Sequence, residues 1–164
     1  VKIPATLPAE SITALIDTRE QRPLDLSPLR SVVGTLDTGD YSDVGLEHVI
    51  RIERKSLSDL IGCVGRERGR FDREVMRLIA YPVRVLVVES TWPEIEQGEW
   101  RGQITPSQAI GALLGWQASG LAVHMVGDHR RAGTHVARLL HCVARRRYRE
   151  LRTFVAGMDA TQRT

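Results

Sequence analysis

An α/β domain of three layers, a central mixed β-sheet flanked by helices, is the fold that this 164-residue sequence predicts. Short apolar runs rich in β-branched residues alternate with longer segments of helical spacing, the pattern of strands joined through helical crossovers. Two early strands are separated only by a glycine turn, which forces antiparallel pairing there, while the later crossovers favour parallel pairing. A hydrophobic content of 42% supplies one ordinary core at this length and too little for two.

Thr13 to Asp17 and Val32 to Leu36 are short apolar runs that empty into polar loops, so both are expected as strands. From Tyr41 the chain alternates through a turn at Gly45 into Ile50, Arg51, Ile52, Glu53 and Arg54, which predicts a hairpin. Ser56 offers a helix N-cap, and Leu57, Leu60, Ile61 and Val64 follow at helical spacing. Gly62, Gly65 and Gly69 weaken that helix before Phe71, Val75, Leu78 and Ile79 resume it and Pro82 ends it. Val83 to Val88 is dense enough in β-branched residues for a strand buried on both faces. A loop around Trp92, Pro93 and Gly98, a helix over Ser107 to Ser119, a strand over Ala122 to Val126 and a helix over Thr134 to Leu151 complete the chain. The polar stretch 155–164 reads as a flexible tail.

No apolar window approaches the roughly 20 residues of a membrane span, and no signal-peptide pattern opens the chain. The expected location is cytoplasmic: bacterial or viral-host cytoplasm, in association with the nucleoid, or the nucleus in a eukaryote. Cys63 and Cys142 lack the close pairing of a zinc or redox motif and are expected in the core. The five histidines show no metal-ligand spacing. A net charge of +3 is modest but uneven, because Arg130 to Arg152 holds eight arginines and a single acid, Glu150. Such a run is either a footprint for phosphate or a solvated helix face.

Acids collect at three strand ends: Asp17 and Glu20 after the first, Asp40 after the second, and Glu53 on the hairpin. Side chains alternate along a strand, so Glu53 and Lys55 share one face and Arg54 takes the other. Carboxylates suit a hard ion such as Mg2+, and a site with two or three of them leaves positions open for water and a phosphate oxygen. Phosphodiester hydrolysis needs an activated water and neutralised charge, both of which such an ion supplies, with Lys55 placed to position the water. Acids at strand ends are also common turn and capping residues.

The compound pattern Gly39, Asp40, then Glu53, Arg54, Lys55, then Asp59 resembles the signature of the XPF-type structure-selective endonucleases, a branch of the restriction-endonuclease-like PD-(D/E)XK nucleases. Asp17, Thr18, Arg19 and Glu20 match upstream, and Arg70 with Phe71 downstream. The resemblance implies a restriction-endonuclease-like fold over residues 1–154. It implies a metal-dependent endonuclease that cuts branched, forked or flap DNA in repair or recombination, with Mg2+ as cofactor and Mn2+ able to substitute. It further implies that Asp40 and Glu53 bind the metal with the backbone carbonyl of Arg54, that Glu20 helps to hold it, that Lys55 is catalytic, and that Asp17 belongs to the same site. Relatives dimerise through this domain, so a homodimer is expected.

Three positions carry competing readings. Asp59 matches the signature, yet Ser56 to Asp59 also forms a capping-box pattern. Arg54 either meets DNA or pairs with a carboxylate such as Asp17 or Asp59. Glu74 stands where many relatives have Gln, and its charge is expected to face solvent. Arg66, Arg68 and Arg70 are the expected local phosphate contacts, and Arg145, Arg146 and Arg147 extend them. Relatives add tandem helix-hairpin-helix modules that are not readable here, so a separate DNA-binding partner is an expectation. The alternative function is a non-catalytic DNA-binding or dimerisation subunit, but such subunits lose the motif acids that this chain keeps.

Overall fold

A computed structural model describes residues 3–161. Six strands form one sheet in the order β2-β1-β3-β4-β5-β6. They are β1 (Thr13–Asp17), β2 (Arg30–Gly34), β3 (Tyr41–Asp43), β4 (Ile50–Ser56), β5 (Val83–Glu89) and β6 (Ala122–Met125). β1 pairs parallel with β2 and antiparallel with β3, and β3 pairs antiparallel with β4. β4, β5 and β6 run parallel, so their C-terminal ends share one edge of the sheet. The mixed sheet predicted from the hairpin and the crossovers is the one observed.

Alternation along β4 and β5 builds both cores. Ile50, Ile52, Val85 and Val87 face the helix α5 (His129–Thr161), where Val136, Leu140 and Ala144 complete the packing. Leu86 and Val88 face the other way, against α1 (Leu57–Val64), α2 (Arg68–Leu78) and α4 (Pro106–Ala118). Val85 to Val88 are all buried, as a strand covered on both faces requires. The same alternation sends Glu53 and Lys55 toward α1 and α2, and Arg54 toward α5.

Several boundaries differ from the sequence reading. β2 covers residues 30–34 because its register is fixed by pairing Thr13 with Arg30 and Asp17 with Gly34 on β1, not by its own apolar run. The expected loop at Trp92 holds a short helix, α3 (Trp92–Gln97). Its N-terminus is a full capping box of Thr91 and Glu94 with a proline in the first turn, a signal present in the sequence. The expected flexible tail is helical as far as Thr161, because adding residues to an established helix costs far less than nucleating one; residues 162–164 lie outside the described part. Cys63 is buried as expected, but Cys142 is exposed on α5. No helix among the described residues is long and apolar enough to cross a membrane.

Candidate active site

Asp40 sits at the entrance to β3, where three backbone contacts fix it. Its carbonyl accepts the Asp17 N–H at 2.8 Å, and its own N–H donates to the Ile52 carbonyl at 2.7 Å. Its carboxylate accepts the Arg54 N–H at 2.8 Å. Gly39, just before it, has φ 78°, and a Cβ there would stand 3.2 Å from the Ile52 carbonyl oxygen. Only glycine therefore lets the loop close this tightly onto β4. Asp40 and Glu53 meet in a cavity of about 300 Å³ that is also lined by Arg19, Lys55, Arg70, Phe71, Glu74 and Arg77.

The cavity is electrostatically loaded. Burial, and then the charge of Glu53, push the Asp40 carboxyl up to about 7. Burial likewise raises Glu53, against the pull of the Lys55 ammonium that pairs with it. Lys55 stays charged, because Glu53 and Asp40 outweigh the burial of its amine. Its Nζ lies 5.3 Å above the Phe71 ring centroid, and Phe71 is held edge-on against Trp116 at 4.8 Å. The ammonium thus has an ion pair on one side and an aromatic face below it.

The opposite face of β4 carries a buried ion chain. Arg54 donates from Nε and Nη2 to the two oxygens of Glu20, each at 2.8 Å, and from Nη1 to Glu89 at 2.8 Å. Glu89 also meets His129 Nδ1 at 2.6 Å. The Arg54, Glu20 and Glu89 side chains are 9%, 4% and 7% exposed, so removing one partner would strand buried charge. Arg54 thereby locks β4 from behind while its N–H orients Asp40 in front.

Two of the expected site acids stand outside the cavity. Glu20 does not line the cavity: besides Arg54 it accepts from Tyr41 Oη at 3.0 Å and the Arg22 N–H at 2.9 Å. Asp17, 1% exposed, accepts from the Arg19 N–H and Nε on one oxygen and from the Leu36 N–H at 2.7 Å on the other. It joins the end of β1 to the loop after β2 and anchors Arg19, the residue that does reach the cavity. Arg54 pairs with Glu20 and Glu89, not with Asp17 or Asp59.

At Asp59 the cap is the Ser56 side chain, whose Oγ accepts the Asp59 N–H at 3.2 Å and donates to the Asp59 carboxylate at 2.7 Å; the carboxylate meets the Ser56 hydroxyl, where a full capping box would have it meet the Ser56 N–H. Glu74 does not simply face solvent. It accepts from Thr38 Oγ1 and from the Gly39 N–H at 3.2 Å, and it pairs with Arg77. Burial pushes its carboxyl up, but these donors outweigh burial and hold it below its usual range. Glu74 thus fastens the loop that presents Asp40. Arg77, which the sequence reading missed, follows Arg70 and Glu74 at helical spacing, and that spacing was its signal.

Of the expected DNA-contact arginines, only Arg70 lines the cavity, paired with Glu67. Arg66 is exposed, and Arg68 pairs with Asp72 beside Trp116. Arg145, Arg146 and Arg147 lie on α5, across the sheet from the cavity, and the last two pair with Glu150. No group of three or more His, Cys, Asp or Glu side chains gathers as a metal cluster among the described residues. The acids that line the cavity are Asp40, Glu53 and Glu74, the last held by Thr38, Gly39 and Arg77.

No curated protein sequence matches this chain. Among solved structures it is similar to the XPF protein from Aeropyrum pernix, with a TM-score of 0.65 at 22% identity, over 87% of this chain and 69% of that one. At that identity the likeness concerns the fold, which is the mixed sheet with flanking helices described above. The model of the ERCC4 domain matches residues 16–139, a span that holds the end of β1, all of β2 to β6, the whole cavity and the buried ion chain behind it. The chain therefore belongs to the ERCC4 domain family, as an XPF-type nuclease domain.

Proposed function

We propose that this chain is a divalent-metal-dependent endonuclease that hydrolyses DNA phosphodiester bonds, with Mg2+ as its ion and branched, forked or flap DNA as its substrate. The observation that carries this reading is one cavity in which two carboxylates, Glu53 buried and Asp40 half-buried, both pushed above their ordinary range, stand beside a charged lysine. Burying two acids together is unfavourable unless a proton or a cation compensates. Their oxygens are the donors that a hard cation takes, so the residues present fit such an ion.

Asp40 and Glu53 would hold the ion, with the backbone carbonyl of Arg54 as a further donor. When bound, the ion supplies charge neutralisation on the phosphate and lowers the pKa of an attacking water. Lys55, fixed by Glu53 and Phe71, directs an ammonium into the space that a phosphate would enter. Arg19, Arg70 and Arg77 add donors around the same opening and favour an anionic substrate. Arg54 from behind β4 and Glu74 from the cavity wall act as positioning residues for Asp40. A homodimer would cover the exposed apolar stripe Leu151, Phe154 and Met158 on α5.

The test is incubation of the purified chain with Mg2+ and end-labelled flap, fork and linear duplex DNA. Cleavage confined to the branched substrates is expected, and Lys55→Ala should lower turnover by roughly 10²–10⁴-fold with folding intact. An inactive but folded wild-type chain that still binds DNA would return it to the class of non-catalytic subunits.

A further inference from the structure

A second cavity, of about 570 Å³, is larger than the one that holds Asp40 and Glu53. It opens where β6 ends and α5 begins, and its polar lining is Arg130, Arg131, Arg138, His135, Thr134 and Asp128. Three guanidinium groups thus face one carboxylate. Asp128 is already engaged, since it caps α5 by accepting the Arg131 N–H at 2.8 Å and stands 3.6 Å from Arg131 Nε. Arg130 and Arg138 are exposed and have no carboxylate partner among the described residues. Arg130, Thr134 and Arg138 recur every fourth residue on one face of α5, so two guanidinium groups and a hydroxyl line the same side of the cavity.

The site is also shaped. Gly127, with φ 90°, lets Arg131 lie against the backbone, where a Cβ would stand 3.2 Å from its Nη1. His135 Nε2 is fixed at 2.8 Å from His124 Nδ1. The first turn of α5 adds the partial positive charge of a helix N-terminus. The ion chain described above ends at His129, one residue before Arg130, so the cavity is joined through Glu89 and Arg54 to the backbone that orients Asp40. Both cavities lie toward the C-terminal ends of parallel strands, the edge at which open α/β sheets receive ligands.

We infer that this arginine-lined cavity is a second phosphate site, which takes the backbone of the same DNA whose scissile bond lies in the Asp40 cleft. The inference rests on the nuclease reading for the identity of its ligand. The arginines hold the strand at a fixed distance from the cleft and take no part in bond breakage.

Binding of a fluorescein-labelled single-stranded oligonucleotide, followed by anisotropy in EDTA across a salt series, tests it without any need for cleavage. Arg130→Ala with Arg138→Ala should weaken binding about tenfold and flatten the salt slope by about 1.4, roughly 0.7 per lost phosphate contact on a single strand. Arg146→Ala with Arg147→Ala removes the same charge farther along α5 and should change both quantities less. With Mg2+ and a flap substrate, the Arg130/Arg138 variant should raise KM and leave kcat within about twofold of wild type. An unchanged slope, or an equal loss from both pairs of substitutions, would overturn the site. A wild-type chain that cuts nothing, with binding still weakened in the Arg130/Arg138 variant, would keep the phosphate site and reject the nuclease reading instead.

Discussion

Asp40 and Asp43 stand three residues apart at the two ends of one short strand, and burial pushes both carboxyls up to about 7. Their surroundings differ completely. Asp40 opens onto a cleft beside a second acid, accepts the Arg54 N–H and feels the Lys55 ammonium. Asp43 is 1% exposed on the other side of the sheet, in a mainly apolar cavity beside Leu7, Ile12, Val44 and Tyr148 that Arg147 also lines, and neither of its oxygens has a hydrogen-bond partner. Its only further perturbation is the charge of Glu47. A shifted carboxyl by itself therefore marks burial, whereas a site also needs a second acid, a fixed donor and an opening through which a ligand can enter.

The hardest test of this contrast is paired substitution. Asp40→Asn should lower cleavage of flap DNA by about 10³-fold or more, because it removes a ligand of the proposed ion, while Asp43→Asn should leave turnover within about twofold. Equal losses in a gel-based cleavage assay would erase the distinction. Stability against pH should show the reverse ranking. The folded pKa of Asp43 lies above its unfolded value of 3.8, so its favourable contribution is complete below 3.8 and is lost as pH rises through about 7. Asp43→Asn should therefore stabilise the protein more at pH 8 than at pH 5, by a difference on the order of 2–3 kcal/mol in urea unfolding. A pH-independent effect would mean that Asp43 finds a partner in solution.

A smaller effect sharpens the same comparison. Mg2+ should raise the melting temperature of wild type and of Asp43→Asn alike, by about 1–3 kcal/mol of stability at roughly ten to a hundred times Kd, and should leave Asp40→Asn unmoved. An equal rise in all three, read by scanning calorimetry, would place the ion elsewhere. The smallest change is expected at Glu74. Gln keeps an acceptor for Thr38 and Gly39, so Glu74→Gln should change turnover less than about fivefold, whereas Glu74→Ala frees the loop before Asp40 and should cost more. If both variants behave alike, the loop is held by Gly39 and the Ile52 carbonyl alone.

The elements were largely legible because their signals are local. β1, β4 and β5 announce themselves by alternation or by dense β-branched runs, and α1 by the Ser56 cap. α3 was legible too, in Thr91, Pro93 and Glu94, but its short length made it read as loop. The register of β2 was not legible, because pairing with β1 sets it and its own side chains are exposed. The extension of α5 past Leu151 was not legible either: residues such as Thr153, Ala156 and Asp159 show no buried face and are helical by continuation.

For the site, the two-residue period that any extended backbone imposes already put Glu53 and Lys55 on one face of their strand and Arg54 on the other. The place of Asp40 in that group rested on the resemblance to the XPF-type signature. Only the tertiary structure decided what each charge meets. Placing β1 beside β3 and β5 beside β4 gave Arg54 its partners Glu20 and Glu89, withdrew Glu20 and Asp17 from the cleft, and brought Arg19, Glu74 and Arg77 into it. Ion-pair partners depend on distances between segments far apart along the chain, and a period read within one segment does not contain those distances.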